Sequence, residues 1–528
     1  MQALNDIFAD HHLVHDGELL AAMHDTAEAL PPASSLCAVA AAGGGVVRAS
    51  VALAHLVRVA AMPFTRAFLR ERVAGVTGLP MAALLAAIQD GLESRGVEVV
   101  ADSGDTYLIR RAPLPRSRRL VHCARRGLAL RASPGAPPPP RFSVMTYNVL
   151  AQSCTGPEVF TFADPVALLW DERRDHVMRE VLLYRPSVVA LQEVQAKELT
   201  WGSPTDADNH AAWYQAQFRA AGYDGMLRAP EPDSRLPPRR RSKHPSLATA
   251  LMWDTSVWEA MPGGVRRINF STALYDACGS NTRARDALCF PHGGVLAVLR
   301  HRATDRAVAF VCTHITARWQ QPYLQIMQAH VLVLAVQAAL GPDLTARLPV
   351  VVAGDFNSLP GSGLHTLMTA GHLPATHPHL AMATAEERIR LPYPDPTHAL
   401  PLRSTYATVL GSEPEFTNFT QHYDGDSFRG TLDYLFYTPA HLAPMLVLDT
   451  VDEATATVDT ALPSRRFPSD HMPLYAEYAF RDTVMTSGPS SAAVAAVLAG
   501  GASGGARGGA GGGAGGGAGA EESGDPVA

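Results

Sequence analysis

Pro349-Val350-Val351-Val352-Ala353-Gly354-Asp355-Phe356-Asn357-Ser358-Leu359-Pro360 is the stretch on which the reading of this chain turns. Three β-branched residues, Val350, Val351 and Val352, form a short apolar run suited to a buried strand, and Gly354 interrupts it just before two polar side chains. Such a strand delivers Asp355 and Asn357 to its exposed end. A carboxylate there is desolvated unless a charge or a hydrogen-bond donor meets it, so an Asp and an Asn two apart point to a site for metal, phosphate or proton transfer. Alone, Gly-Asp-Phe-Asn fits a plain strand-to-turn junction equally well, and the rest of the chain has to decide.

Outward from this stretch, apolar runs repeatedly end in the same kind of residue. Met145-Thr146-Tyr147 leads to Asn148, Val188-Val189-Ala190-Leu191-Gln192 to Glu193, and Phe310-Val311-Cys312-Thr313 to His314. Thr431-Leu432 precedes Asp433, and Phe467-Pro468-Ser469 precedes Asp470 and His471. One Asn or His at a strand end is ordinarily a satisfied turn residue. Six such places, holding carboxylates, amides and two histidines without a cysteine ligand, are hard to explain as turns.

The chemistry that needs this set is phosphoryl transfer to water with a hard divalent cation. Magnesium takes oxygen ligands, commonly one or two carboxylates plus a substrate phosphate, so Glu193 suits it. Amides and histidines offer hydrogen bonds to phosphate oxygens as charge develops, an Asp beside the metal can orient or deprotonate water, and an Asp–His pair follows the orienting logic of hydrolase triads.

Composition sets the bounds. With 528 residues the chain can bury a large core and hold more than one folded unit, and its formal net charge of −6 excludes a globally basic nucleic-acid binder. Six cysteines, without a CxxC pair or zinc-type spacing, read as reduced thiols of a cytoplasmic protein, with a nuclear pool also allowed. The N-terminal MQALNDIFADHH is acidic where a targeting peptide is basic, and Val331 to Leu340 is the longest apolar run, so no membrane span is expected.

The expected organisation has five parts. Residues 1–60 are Ala-rich and weakly patterned. Residues 61–132 read as a small winged-helix-like domain: helical spacing at Phe68, Leu69, Val73 and Val76, a turn at Thr77 to Pro80, helical spacing again from Met81 to Leu92, then a hairpin around Asp102 to Asp105. The arginines that follow, Arg110 to Arg126, make either a nucleic-acid contact or the solvated edge of a protein-docking domain. Residues 133–140 form a Pro-rich spacer. Residues 141–482 hold strands that alternate irregularly with helices such as Asp171 to Tyr184 and Pro322 to Ala339, which favours an α/β sandwich of two packed sheets with helices outside. Residues 483–528 read as a disordered Gly/Ala-rich tail. A basic loop, Arg235 to Lys243, suits RNA backbone, a nuclear address or plain solvation.

In their order, Asn148, Leu191-Gln192-Glu193, Thr313-His314, Gly354-Asp355-Phe356-Asn357 and Ser469-Asp470-His471 resemble the motif series of the endonuclease/exonuclease/phosphatase superfamily. Three longer strings resemble its poly(A)-specific deadenylase branch, which includes nocturnin and the angel proteins: Thr146 to Ala151, Pro414 to Thr420 and Gly430 to Tyr437. The resemblance implies a deoxyribonuclease-like sandwich and roles for single residues. Glu193 would ligate magnesium, with Asp470 and Asn148 close to metal and phosphate. Asp355 would handle the attacking water, Asn357 would hold the scissile phosphate, and His314 would contact phosphate. His471, oriented by Asp433, would stabilise the transition state. Phe428 matches an aromatic on which the family stacks an adenine, though ordinary packing reads the same way. One or two Mg2+ ions are implied, with Mn2+ able to substitute. Two departures stand out: no leucine-rich repeat precedes the domain, and Gly293-Gly294-Val295 occupies a place where many relatives carry Asn or Gln.

The function expected is therefore a magnesium-dependent 3′-exoribonuclease acting on poly(A) 3′ ends, with protein partners reached through residues 61–132. The rival within the superfamily is a phosphatase or 2′-phosphodiesterase of small nucleotides. A non-catalytic RNA-binding scaffold is the rival of another class, and it has no use for Glu193 or the Asp433 and His471 pair.

Overall fold

The strand Val350–Asp355 (β12) is buried along its whole length, and its alternation builds two cores at once. Val350 and Val352 pack with Leu324, Met327 and Leu332, which lie on the helix Pro322–Arg347 (α5). Val351 and Ala353 point the other way, toward Phe142, Val144, Val188 and Leu251 of an opposing sheet. A strand apolar on both faces reads as a continuous run, which is why the Val-Val-Val stretch carries no polar alternation.

The computed structural model describes residues 140–196, 209–229, 247–289, 292–382, 395–421, 427–481 and 491–504, with Arg118, 120–123, Tyr393, Pro489 and the strand segments 64–65, 97–103 and 106–111. Two mixed sheets face each other. With strands numbered in chain order, the seven-stranded sheet runs β4-β17-β18-β5-β6-β8-β7, from Leu120–His122 (β4), Leu442–Leu448 (β17), Leu474–Phe480 (β18), Arg141–Asn148 (β5), Val188–Gln195 (β6), Leu247–Asp254 (β8) and Tyr223–Arg228 (β7). The six-stranded sheet runs β13-β16-β12-β11-β10-β9, from Arg403–Ser404 (β13), Asp433–Tyr437 (β16), β12, Ala307–His314 (β11), Gly293–His301 (β10) and Trp258–Asn269 (β9). Helices Trp170–Tyr184 (α1) and His210–Ala220 (α2) cover the first sheet, and α5 covers the second, giving the expected α/β sandwich.

Register fixes the site. In the second sheet His314 pairs with Asp355 and Asp355 with Asp433, so three strand ends stop in one row. Across the gap, β5 and β6 run parallel with Asn148 beside Gln192. Gly354 is required for this approach, since a Cβ there would fall 2.2 Å from the Thr313 carbonyl oxygen.

Several expectations change. The sandwich begins before residue 141: β4 pairs with β17, and Arg118, one of the arginines read above as a nucleic-acid contact or a solvated edge, is buried. Its guanidinium meets the Glu180 carboxylate and donates to the carbonyls of Asp449 (3.1 Å) and Pro473 (2.6 Å). The segment expected to be disordered contains a helix, Ser491–Gly504, which buries Val494 and Leu498 in the core that β12 shares with α5. Ala, Val and Leu are good enough helix formers, and the spacing of four gives them one apolar stripe. The hairpin expected after the winged-helix pattern is present as Val97–Ser103 and Thr106–Arg111. The two helices before it, residues 1–60, nearly all of the Pro-rich spacer, the basic loop at 235–243 and the chain beyond 504 lie outside the described residues. Helix α5 is long and apolar enough to cross a membrane by length and composition, and its apolar residues are used in packing on the second sheet.

Candidate active site

Asn148 closes β5 and ties the two sheets together. Its Oδ1 accepts the Leu150 N–H (3.0 Å), which fixes the amide so that Nδ2 donates to Glu193 Oε1 (3.1 Å) and to Asp355 Oδ2 (3.0 Å). Glu193 reaches this point through a bulge: the pairing of β6 with β8 shifts register between Leu191 and Val194, and Glu193 takes φ 57°. A left-handed non-glycine residue is strained, and here the bulge re-aims a side chain that strict alternation would send elsewhere. Its second oxygen accepts the Ala151 N–H (3.1 Å).

From the second sheet, Asp355 Oδ1 accepts the Asn357 N–H (2.8 Å), and Oδ2 lies 3.6 Å from His314 Nε2. His314 Nε2 is also 3.9 Å from Glu193 Oε1. Asn357 has φ 48°, donates one side-chain N–H to the Ile315 carbonyl (2.9 Å) and is held at its own carbonyl by Gln325 (2.7 Å). His471 donates from Nδ1 to Asp433 Oδ2 (2.8 Å), and its Nε2 lies 3.8 Å from Asp355 Oδ2. Asp470 accepts from Asn418 Nδ2 (3.2 Å). Asn148, His314, Asp355, Asp433 and His471 are buried, while Glu193, Asn357 and Asp470 are partly open.

Burial raises the Asp355 carboxyl to about 6, with Asp433 adding to the rise while His471 and His314 oppose it. Burial also raises Asp470. For His471 burial works toward the neutral ring, and Asp433, Asp470 and Asp355 outweigh it, so the imidazole is held protonated well above its usual range. Three carboxylates, Asp433, Asp470 and Asp355, thus act on one firmly charged imidazolium. Polar side-chain atoms of Asp355, Asp433 and His471 crowd within 4.8 Å of one another; the protonated imidazole offers no lone pair to a metal, which leaves carboxylate oxygens as ligands, and Asp433 Oδ1 and His314 Nδ1 are buried without a hydrogen-bond partner in the protein. An oxygen-rich, negatively charged cluster with uncompensated acceptors fits a hard divalent cation.

Phe428 stands apart from this row, on the small hairpin Asn418–Gln421 (β14) and Ser427–Gly430 (β15). It is partly buried, and a Cβ on Gly430 would fall 3.0 Å from its ring and 2.6 Å from Leu359. The hairpin is fastened to the site, because Asn418 bridges to His471. The Gly293-Gly294 departure also has a packing cause: a Cβ at Gly293 would lie 2.1 Å from the Ile268 carbonyl oxygen and 2.8 Å from the Arg228 guanidinium.

Three supporting residues escaped the sequence reading. Thr417 accepts the N–H groups of Leu432 (2.9 Å) and Asp433 (3.1 Å) and donates its hydroxyl to Asp433 Oδ2 (2.7 Å). Arg173, buried on α1, donates to the carbonyls of Val149 (3.0 Å), Leu150 (2.8 Å) and Pro468 (3.0 Å), clamping the loops that carry Asn148 and Asp470. Gln325 on α5 joins Asn357 to Thr316. Thr417 sits within the Pro414 to Thr420 string, so a signal existed; Arg173 and Gln325 gave none.

Comparison with known proteins places the site in context. Carbon catabolite repressor protein 4 homolog 2 of Arabidopsis thaliana is 29% identical over 371 residues, covering 64% of this chain and 57% of the relative. The CCR4-Not complex 3'-5'-exoribonuclease subunit Ccr4 of Kluyveromyces lactis is 25% identical over 352 residues, covering 64% of this chain and 41% of its own. The chain thus spans about half the length of the curated relatives it matches. The crystal structure of ANGEL2, a 2',3'-cyclic phosphatase bound to adenosine-2',3'-vanadate, superposes with a TM-score of 0.51 at 21% identity, over 64% of this chain and 96% of that one, and shares the fold. These relatives fall in the expected branch. The profile of the Endonuclease/Exonuclease/phosphatase family matches residues 145–471, from the start of the Asn148 string to His471, and the chain belongs to that family.

Proposed function

We propose that this protein is a divalent-metal-dependent phosphodiesterase that removes nucleotides from RNA 3′ ends, with poly(A) as its preferred substrate and Mg2+ as its metal. The observation that carries the reading is the junction at Asn148, whose amide binds the carboxylates of both sheets, Glu193 and Asp355, beside the Asp433–His471 pair. The 3'-5'-exoribonuclease name of the Kluyveromyces lactis relative and the deadenylase-like strings support RNA as the polymer. Protein partners reached through residues 61–132, and action in the cytoplasm and nucleus, belong to the same proposal.

Glu193 and Asp470, with Asp355 beside them, would hold the metal. When bound, a divalent cation offsets phosphate charge and lowers the pKa of a coordinated water. Asp355, pushed up to about 6, is a base at neutral pH yet still close enough in pKa to take a proton effectively. Asn148 and His314 hold its Oδ2 in place, so the proton leaves the attacking water toward a fixed acceptor. His471, kept charged and oriented by Asp433, presents Nε2–H to an oxygen of the phosphate as negative charge grows. Asn357 keeps its second side-chain N–H for another phosphate oxygen.

The test is one incubation of the purified protein in Mg2+ with labelled poly(A), poly(U), 2′,5′-oligoadenylate and NADPH. Stepwise shortening of poly(A) from the 3′ end, abolished by EDTA, is expected. Release of phosphate from NADPH with poly(A) left intact would overturn the polymer reading in favour of a small-nucleotide phosphatase.

A further inference from the structure

Trp319 is 73% exposed, the highest value among the large apolar side chains of the described residues. It occupies a tight turn between β11 and α5, closed by the Gln321 N–H on the Arg318 carbonyl (2.8 Å). Scattered surface aromatics are ordinary, so exposure alone assigns nothing. What distinguishes Trp319 is the stem beneath it. Ile315 N–H donates to the Asp355 carbonyl (2.9 Å), Thr316 N–H to Gln328 Oε1 (3.0 Å), and Gln325 Nε2 donates to both the Thr316 carbonyl (3.0 Å) and the Asn357 carbonyl (2.7 Å). The turn is therefore bonded to the backbone of two residues of the catalytic row and lies five residues past His314 in the chain.

Arg318 and Gln320 are its neighbours in the chain, and both are exposed. The charge of Arg318 reaches His292, whose ring meets that of His314 edge-on with centroids 5.9 Å apart. An aromatic face with a cation next to it in the chain, on a turn whose stem is hydrogen-bonded to the backbone of Asp355 and, through Gln325, Asn357, is the pairing that single-stranded nucleic acid uses: the ring stacks a base and the cation follows the backbone. A protein hot spot would more often sit among further apolar groups.

We propose that Trp319 is a second base platform, stacking a nucleotide of the substrate strand away from the cleaved linkage while Arg318 faces its phosphate. The inference rests on the nuclease reading above and deepens it: a second platform has value only for a substrate of several nucleotides, and so favours a polymer over a small nucleotide.

The test uses the full chain and its Trp319→Ala and Trp319→Phe variants, with labelled oligo(A) of two and ten nucleotides. Binding is measured by anisotropy in EDTA, turnover in Mg2+, and folding by thermal melting. Loss of one stacked base weakens ten-nucleotide binding about 5- to 150-fold and raises KM similarly, with the effect on the dinucleotide far smaller. Trp319→Phe restores most of the affinity, and the tryptophan fluorescence quench seen when the wild type binds RNA diminishes in Trp319→Ala. A folded Trp319→Ala protein that matches the wild type in ten-nucleotide KM and affinity overturns this inference alone, and leaves Trp319 to a protein contact or to no contact. Wild-type protein that binds no RNA overturns the nuclease reading and this inference with it.

Discussion

Replacing Asp433 by Asn removes a charge while keeping a shape. Thr417 Oγ accepts two backbone N–H groups, so its own proton must go to Asp433 Oδ2, the oxygen that also accepts from His471 Nδ1. An Asn carbonyl oxygen at that point keeps both donors satisfied, and the imidazole keeps its orientation. What disappears is the attraction between carboxylate and imidazolium, which at 2.8 Å amounts to about 6 kcal/mol with an effective dielectric near 20. Part of this is offset by desolvation; breaking a buried pair commonly lowers folding stability by about 3–5 kcal/mol, and loss of a charged donor to the developing phosphate charge lowers kcat roughly 10²- to 10³-fold. Stability should change with a definite sign. Because His471 has a folded pKa above its unfolded value near 6.5, its contribution is fully present below about pH 6.5 and is lost as pH rises through the folded value. Asp433→Asn should therefore melt lower than the wild type in mild acid, with the gap closing at alkaline pH. The assay is kcat on oligo(A) together with Tm across pH, the latter in EDTA. A variant within tenfold of the wild-type kcat, with a parallel Tm profile, would refute the orienting and charging role of Asp433.

Three further outcomes follow from the same geometry. Glu193→Ala should stay folded, since the side chain is partly open, and should lose hydrolysis even in saturating Mg2+; activity that survives it, or that ignores EDTA, would remove Glu193 from the metal site. Asp355→Asn should lower turnover about 10²- to 10⁴-fold while RNA still binds, and the wild-type rate should fall as pH drops below about 6, where the Asp355 carboxyl takes up its proton. A variant that loses RNA binding with turnover per complex intact would make Asp355 a positioning residue. Arg118→Ala should destabilise the sandwich by about 3–5 kcal/mol, because it strands the Glu180 carboxylate in the core; a loss under about 1 kcal/mol by denaturant melting would mean that the segment before residue 140 is dispensable.

What the sequence disclosed tracks how local the cause is. Val350 to Val352, Val188 to Leu191 and Phe310 to Cys312 are buried by their own composition, so those strands and the polar residues ending them were legible. β9 was not: it contains Pro262, Gly263 and Gly264, which count against a strand and are tolerated because it lies at the sheet edge. β17 carries Pro444 beside a register shift in its pairing with β18. Arg173 is an unremarkable helical arginine until the loops after Asn148 and before Asp470 close over it. The helix at Ser491–Gly504 looked unstructured because its two burying residues are diluted among Ala and Gly, and the surface that receives them is made by β9 and its neighbours.

The placement of β18 between β17 and β5 has a bearing on how the protein is made. The chain leaves the ribosome from its N-terminus, so β5 and Asn148 emerge early and wait for a neighbour supplied near the other end of the domain. Ser469, whose hydroxyl donates to the Asn148 carbonyl at 2.7 Å, lies 321 residues downstream of it. Asp470 and His471 arrive with the same segment. Closure of the sheet and completion of the acid–imidazole pair are thus one late event of high contact order. A nascent chain, or one ended by a premature stop before residue 470, carries Glu193 and Asp355 but neither His471 nor the strand that joins β17 to β5 in the seven-stranded sheet. The Asp433–His471 pair is thus completed only when synthesis of the domain is essentially finished.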